Sequence, residues 1–201
     1  MTERVNIREL ALETLLAVGR DGEKSHQVIR NVLEKYQYLP RQERAFFTRL
    51  CEGTLEYRIR LDYILDAFSR TPAAGMKPVI REILRMGVYQ LRYMDAVPDS
   101  AAVNEAVKLA ARKGFRNLKG FVNGVLRSVA RNPGLPADPG EEQLVRRLSV
   151  RYSMPEFLTE KWLEELGQDT AEKMMAAFLK EAPLTALLRG TAEQRKKTLE
   201  E

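Results

Sequence analysis

Apolar residues recur at helical period in almost every segment from residue 7 to residue 131, and no stretch there alternates at the period of two that a half-buried strand requires. Ile7, Leu10, Ala11, Leu15 and Val18 make the first stripe, with the start at either Thr2 or Asn6; Asn6 with Glu9 resembles a capping box. Gly19 to Gly22 interrupts it. Ser25 is placed to cap a second helix carrying Val28, Val32, Leu33 and Tyr36, and Pro40 to open a third through Ala45, Phe46, Leu50 and Gly53. Leu61, Ile64, Leu65 and Phe68 continue the period beyond Tyr57. After the loop at residues 70–77, Pro78 opens a helix whose inner face is Ile80, Ile83, Leu84, Val88 and Leu91. A helix from Asp99 to Lys113 then presents Val103, Ala106, Val107 and Ala110. Seven or so helices with short connections predict an all-α bundle.

The last of these segments, Gly114 to Arg131, is amphipathic in an instructive way. Leu118, Phe121, Val122, Val125, Leu126 and Val129 form one stripe, and Arg116, Lys119, Asn123, Arg127 and Arg131 lie opposite. One face can be core while the other meets an anion. Gly120 and Gly124 sit beside the basic stripe, where each costs a helix about 1 kcal/mol relative to Ala. Close approach of a neighbouring helix or of a phosphate backbone would offset that cost, so both glycines are expected to permit a close contact.

Charge is distributed unevenly. The net charge is +5, yet residues 1–131 carry +8 and residues 132–201 carry −3. From Ala106 to Arg131 there are seven basic residues and no acidic one, the strongest local field in the chain. Nucleic acid is the natural partner for such a patch. Arg4, Arg8, Arg112, Lys113, Arg116, Lys119 and Arg127 are the candidate RNA contacts, because phosphate binding depends on summed charge. Asn104, Glu105 and Asn123 lie next to or between apolar stripe positions and are candidates for an interhelical hydrogen-bond set, with direct RNA contact as the other reading. Tyr89, Tyr93 and Phe121 are expected in the core rather than as base-stacking platforms.

Residues 132–140 contain three prolines and two glycines, and the charge balance changes sign there, which places a domain boundary after residue 131. A helical connector is expected over 141–182, with one helix around Leu144 and Leu148, a second opened by Pro155 and stopped by Gly167, and a third capped by Asp169. Residues 183–201 read as the start of an α/β unit: a strand at LTALLR, then a helix capped by Thr191 and Gln194. A single strand cannot satisfy its own backbone, so the chain is expected to be a piece of a longer protein, cut just after an α/β domain begins.

No catalytic constellation is legible. Cys51 and His26 are the only residues of their types, which excludes an internal disulfide and argues against a Cys/His metal site. Cys51 reads as a packed helix cysteine and His26 as a surface or capping side chain. The glycines at 114, 120 and 124 fall within helical pattern, so no nucleotide-phosphate loop is supported. No apolar run reaches the roughly 18 residues of a membrane span, and the first residues lack a signal-peptide core, so a cytoplasmic protein is expected.

The strings VPDSAAVNEAVKLA (97–110) and GFVNGVLRSVAR (120–131) resemble the NusB-like RNA-binding domain, and the preceding stretches 5–18, 39–65 and 83–94 agree with it. The free antitermination factor of that group usually has an acidic residue after FVNGVL, where Arg127 stands here. The chain is more similar to the ribosomal RNA small-subunit cytosine-5 methyltransferase B (Sun or Fmu) family, in which such a domain precedes a connector and a methyltransferase part. Two junction motifs depart from that family: Met154-Pro155 replaces its His-Pro, and Leu188-Arg189-Gly190 its Arg-Val-Asn. The resemblance implies an S-adenosylmethionine-dependent methyltransferase whose cysteine attacks the cytosine ring, with cofactor and catalytic residues downstream of Glu201 and none in this chain. Its implied partner is small-subunit ribosomal RNA. The other implied reading is a protein-interaction module that pairs with a ribosomal protein.

Overall fold

Asn6 caps the first helix as its spacing predicts: its side chain accepts the Glu9 backbone N–H at 3.0 Å. The computed structural model describes residues 5–134, 136–180 and 191. Among them every regular element is helical. The order is α1 (Ile7–Asp21), α2 (Ser25–Lys35), α3 (Arg41–Glu56), α4 (Arg58–Phe68), α5 (Pro78–Tyr93), α6 (Asp99–Arg112), α7 (Lys119–Arg131), α8 (Leu144–Tyr152), α9 (Glu156–Leu166) and α10 (Gln168–Phe178). Arg4, the strand expected at 184–189 and the helix expected after Thr191 lie outside the described residues.

Punctuation differs from expectation in small ways with local causes. Helix α1 runs through Gly19 and stops at Gly22, whose φ of 64° only glycine adopts cheaply. Ser25 is already helical and Lys24 is the cap, with no side-chain bond. Pro40 and Pro155 sit one residue before their helices, where a fixed φ suits the extended cap. Gly167 rather than Asp169 precedes α10; Asp169 lies in its first turn.

Helices α1 to α7 enclose one core, with α5 at its centre: Ile80, Ile83, Leu84, Met86, Val88 and Tyr89 are all buried. Two close approaches are made by glycines of this core. A Cβ on Gly87 would stand 2.7 Å from Leu126 of α7, and one on Gly53 of α3 would collide with the Tyr89 ring. By contrast, no described residue lies within 4 Å of a Cβ on Gly120 or Gly124, so of the two close contacts open to them the one with a neighbouring helix is not made among the described residues. The core also holds a charged knot. Arg85 bonds Asp62 of α4 through Nε at 2.7 Å and Nη2 at 2.5 Å, and Glu82 through Nη1 at 2.5 Å. Burial alone would lower the Arg85 pKa; the bonds to Asp62 and the charge of Glu82 reverse it and raise it.

Leu148, Ala171 and Met175 form a second, small core between α8, α9 and α10. It is fastened to α4. The Ser153 hydroxyl accepts the Ile59 backbone N–H at 3.1 Å, capping α4 from outside, and Tyr63 donates to the Ala137 carbonyl at 2.5 Å. Asp138 accepts from Arg60 at 3.4 Å and from Arg151 at 3.1 Å, so it stands between the two units.

Candidate nucleic-acid interface

The turn between α6 and α7 decides which way the basic side chains face. Gly114 takes a φ of 87° there; the Phe115 N–H donates to Ala110 and the Gly114 N–H to Ala111, the paired bonds of a Schellman stop. A single 3-10 turn, Arg116–Leu118, then leads into α7. Buried Val122, Val125, Leu126 and Val129 fix the inner face of α7, which leaves Arg116, Lys119, Gly120, Gly124, Arg127 and Arg131 exposed. Arg92 of α5 anchors the far end, donating to the carbonyls of Val129, Asn132 and Pro133 at 3.1, 2.5 and 2.7 Å.

The structure sorts the candidate cations into three groups. Arg8 is half-buried and committed to the fold: its Nε donates to Gln90 at 2.8 Å and its guanidinium lies 4.9 Å from the Phe46 ring centre. Burial lowers its pKa against the opposing charge of Glu105. Arg112 and Lys113 are held by acidic residues of α1. The Lys113 ammonium lies 2.7 Å from Glu9 and 2.8 Å from Glu13, and Arg112 lies 3.7 Å from Glu9. Hydrogen bonds donated by Lys113 to Glu13 and Glu9 raise its pKa accordingly. The third group is uncompensated: Arg116, Lys119 and Arg131 have no ion-pair partner among the described residues, and Arg127 has only a neutral one, Asn123, at 3.0 Å.

These free cations run along one face. Lys119, Arg127 and Arg131 lie eight and four residues apart, so they span about 18 Å of helix. No acidic residue interrupts them, and the positive end of the helix dipole adds to the field at Lys119. Lys77, from the loop before α5, joins them with its ammonium 5.4 Å from the Phe115 ring centre, beside Arg116. Nothing in the linear sequence ties Lys77 to this surface, because only the packing of α5 against α6 brings the loop there.

Among the described residues Asn104, Glu105 and Asn123 make no hydrogen bond to a neighbouring helix. Asn104 is exposed, Glu105 bonds Lys108 one turn along its own helix at 2.7 Å, and Asn123 bonds Arg127. Asn104 and Asn123 sit one position off the buried stripe and point along the surface, whereas Glu105 also presents its charge to Arg8 of α1. Tyr89 is fully buried, and Tyr93 stacks on it with ring centres 5.4 Å apart. Cys51 is buried, and burial followed by the charge of Glu52 pushes its thiol far up, away from thiolate chemistry. His26 is exposed. Among the described residues no group of three or more His, Cys, Asp or Glu could hold a metal ion, and no helix is long and apolar enough to cross a membrane.

Known proteins share both the sequence and the fold. The NusB family model matches residues 5–131. A probable ribosomal RNA small subunit methyltransferase B of Bacillus subtilis (strain 168) is 36% identical over 177 residues, 88% of this chain and 39% of that protein. The chain thus spans about two fifths of that relative's length. A crystal structure of antitermination factors NusB and NusE in complex with dsRNA superposes with a TM-score of 0.57 at 20% identity, covering 62% of this chain and 93% of that one. The crystal structure of PH0851 superposes with a TM-score of 0.69 at 14% identity, covering 90% of this chain and 40% of that one.

Proposed function

Because the chain belongs to the NusB family, we propose that its α6–α7 face is an RNA-binding surface and that residues 1–131 are the RNA-recognition domain of a ribosomal RNA cytosine-5 methyltransferase. The observation that carries the RNA reading is the uncompensated row Arg116, Lys119, Arg127 and Arg131. Cations without carboxylate partners exchange their counterions for phosphates at little cost. Arg112 and Lys113 flank the row, and Arg4 and Arg8 contribute general positive charge.

The methyltransferase reading is supported by how far the likeness to the Bacillus relative extends. It runs well past residue 131 into the connector, α8 to α10. On this reading residues 132–140 link the domain to a connector over 141–182, and 183–201 begin the α/β part. S-adenosylmethionine and the catalytic cysteine belong to that part, and the bundle's task is to hold small-subunit ribosomal RNA against it.

Equilibrium binding of the chain to small-subunit RNA fragments tests the RNA reading. Affinity should fall steeply with salt, with a log–log slope of about 3 to 4 if the four free cations each neutralise one phosphate. Absence of binding at low salt overturns it. A second reading, a protein-interaction module, is favoured by the NusB–NusE pairing in the superposed structure. Reversing charge at Arg116, Lys119 and Arg127 separates the two, since it abolishes RNA binding but leaves an uncharged protein contact largely intact.

A further inference from the structure

We propose that the turn between α6 and α7 is a binding site for a single unpaired base of RNA: the Phe115 ring is its stacking platform, and Lys77, which lies over that ring, is drawn off to the adjoining phosphate as the base stacks. This rests on the reading of the face as an RNA surface and adds a contact that attraction to phosphate does not supply.

Phe115 is held as a platform must be. Its two backbone polar groups are both engaged, the N–H donating to the Ala110 carbonyl at 2.9 Å and the carbonyl accepting the Leu118 N–H at 3.0 Å. The half-buried ring packs against the core. An apolar side chain at this position is a common companion of the Schellman stop, and leucine would serve that packing as well. What phenylalanine adds is a flat π face, and the group that meets that face is the Lys77 ammonium, 5.4 Å from the ring centre.

That cover is exchangeable. Lys77 is exposed and has no ion-pair partner among the described residues, so the ring is what positions it. An exposed ammonium–ring contact is weaker than a stacked base, and an ammonium that moves from the ring to a phosphate keeps a partner. The turn carries the rest of such a site. Arg116 and Lys119 are exposed without ion pairs, and Asn117 between them is exposed with no hydrogen bond among the described residues, which leaves its amide available to a base edge. A fixed ring, a free amide and three uncompensated cations in one turn and the loop beside it are what recognition of an unpaired nucleotide uses.

Two probes of equal charge test this by fluorescence anisotropy with the whole chain: an oligoadenylate, and a sugar–phosphate strand of the same length without bases. The chain should bind the oligoadenylate about tenfold tighter or more. Phe115→Leu keeps an apolar side chain at the helix stop, so it should remove most of that preference while affinity for the base-free strand stays within about twofold. Phe115→Tyr should retain the preference. Equal binding of the two probes by the parent, or a Phe115→Leu variant that keeps the preference or weakens both probes alike, overturns the inference and leaves RNA binding standing. So does binding of small-subunit RNA fragments without binding of the oligoadenylate. Absence of binding to all three RNAs overturns the functional reading with it.

For the lysine, Lys77→Gln should lower the log–log salt slope for the oligoadenylate by about 0.7, the contribution of one phosphate contact on a single strand, with the preference for bases intact. An unchanged slope overturns its transfer to phosphate. Thermal melting of the three variants establishes that the bundle is intact when they are compared.

Discussion

Arg8 of α1 reaches across the bundle to Gln90 of α5, and the bond between them is 2.8 Å long. Its sequence position, in a basic amino-terminal stretch, suggests a ligand contact, yet its geometry is that of a brace. Gln90 is buried and spends its amide N–H on the Met86 carbonyl at 2.8 Å, leaving its oxygen to Arg8. Arg8→Ala should therefore cost about 2 kcal/mol of stability, the scale of a charge-assisted hydrogen bond with a buried partner. RNA affinity measured at matched folded fraction should change less than for Lys119→Ala. A loss of affinity equal to that of Lys119→Ala, with stability unchanged, would return Arg8 to the binding surface.

The glycines invite an opposite pair of substitutions. Gly120→Ala and Gly124→Ala each place a methyl group in open space on an exposed helix face and should stabilise by up to about 1 kcal/mol. Gly87→Ala drives a methyl group to 2.7 Å from the Leu126 side chain and should destabilise by about 1 to 3 kcal/mol despite the same gain in helix propensity. Chemical denaturation of the three variants reads the sign directly.

Tyr89 is fully buried, and its hydroxyl has no hydrogen-bond partner among the described residues. Tyr89→Phe removes an unpaired polar atom and should raise stability by about 1 kcal/mol, or a melting temperature by about 2 to 4 °C. The same burial lifts the phenol to about 12, opposed by Arg49. A folded-state pKa above the unfolded value of about 10 gives stability that is complete below pH 10 and lost as pH rises towards 12. Alkaline unfolding should thus be steeper in the parent than in Tyr89→Phe; superimposable pH profiles would remove Tyr89 as a cause.

Arg85 satisfies two carboxylates from inside the core. Arg85→Ala leaves Glu82, itself buried, with only the Arg81 guanidinium 3.9 Å away, and should cost about 3 kcal/mol, visible as a melting temperature lower by about 6 °C or more. Adding Glu82→Gln to that variant should recover part of the loss, because the stranded charge is then gone. A double variant no more stable than Arg85→Ala would refute that account.

Helix number and order in the bundle were legible because each α1–α7 stripe has its own period and its own stop, such as Asn6 at one end and Gly114 at another. Long-range pairing was not. Lys113 and Glu13 stand a hundred residues apart, and no local pattern announces that one neutralises the other. For the same reason the sequence marks Gly120 and Gly124, which interrupt a visible basic stripe, and passes over the contact made by Gly87 with a residue of a different helix. The basic stretch was legible as a charge sum; which of its members remain free to meet a ligand depends on where α1 packs.

Asp138 has a consequence for mechanics. A segment rich in proline and glycine, left to itself, would let the bodies at its two ends diffuse independently, and the α1–α7 bundle would be tethered to α8–α10 as a ball on a string. Asp138 is instead clasped by Arg60 on one side and Arg151 on the other, with the Ser153 hydroxyl seated on the start of α4. The joint is thereby a strut: it fixes an angle as well as a distance. On the proposed reading of α7, a nucleic acid bound there is held at one angle to α8–α10, and the entropy of aiming it is lost once, during folding, rather than at each encounter.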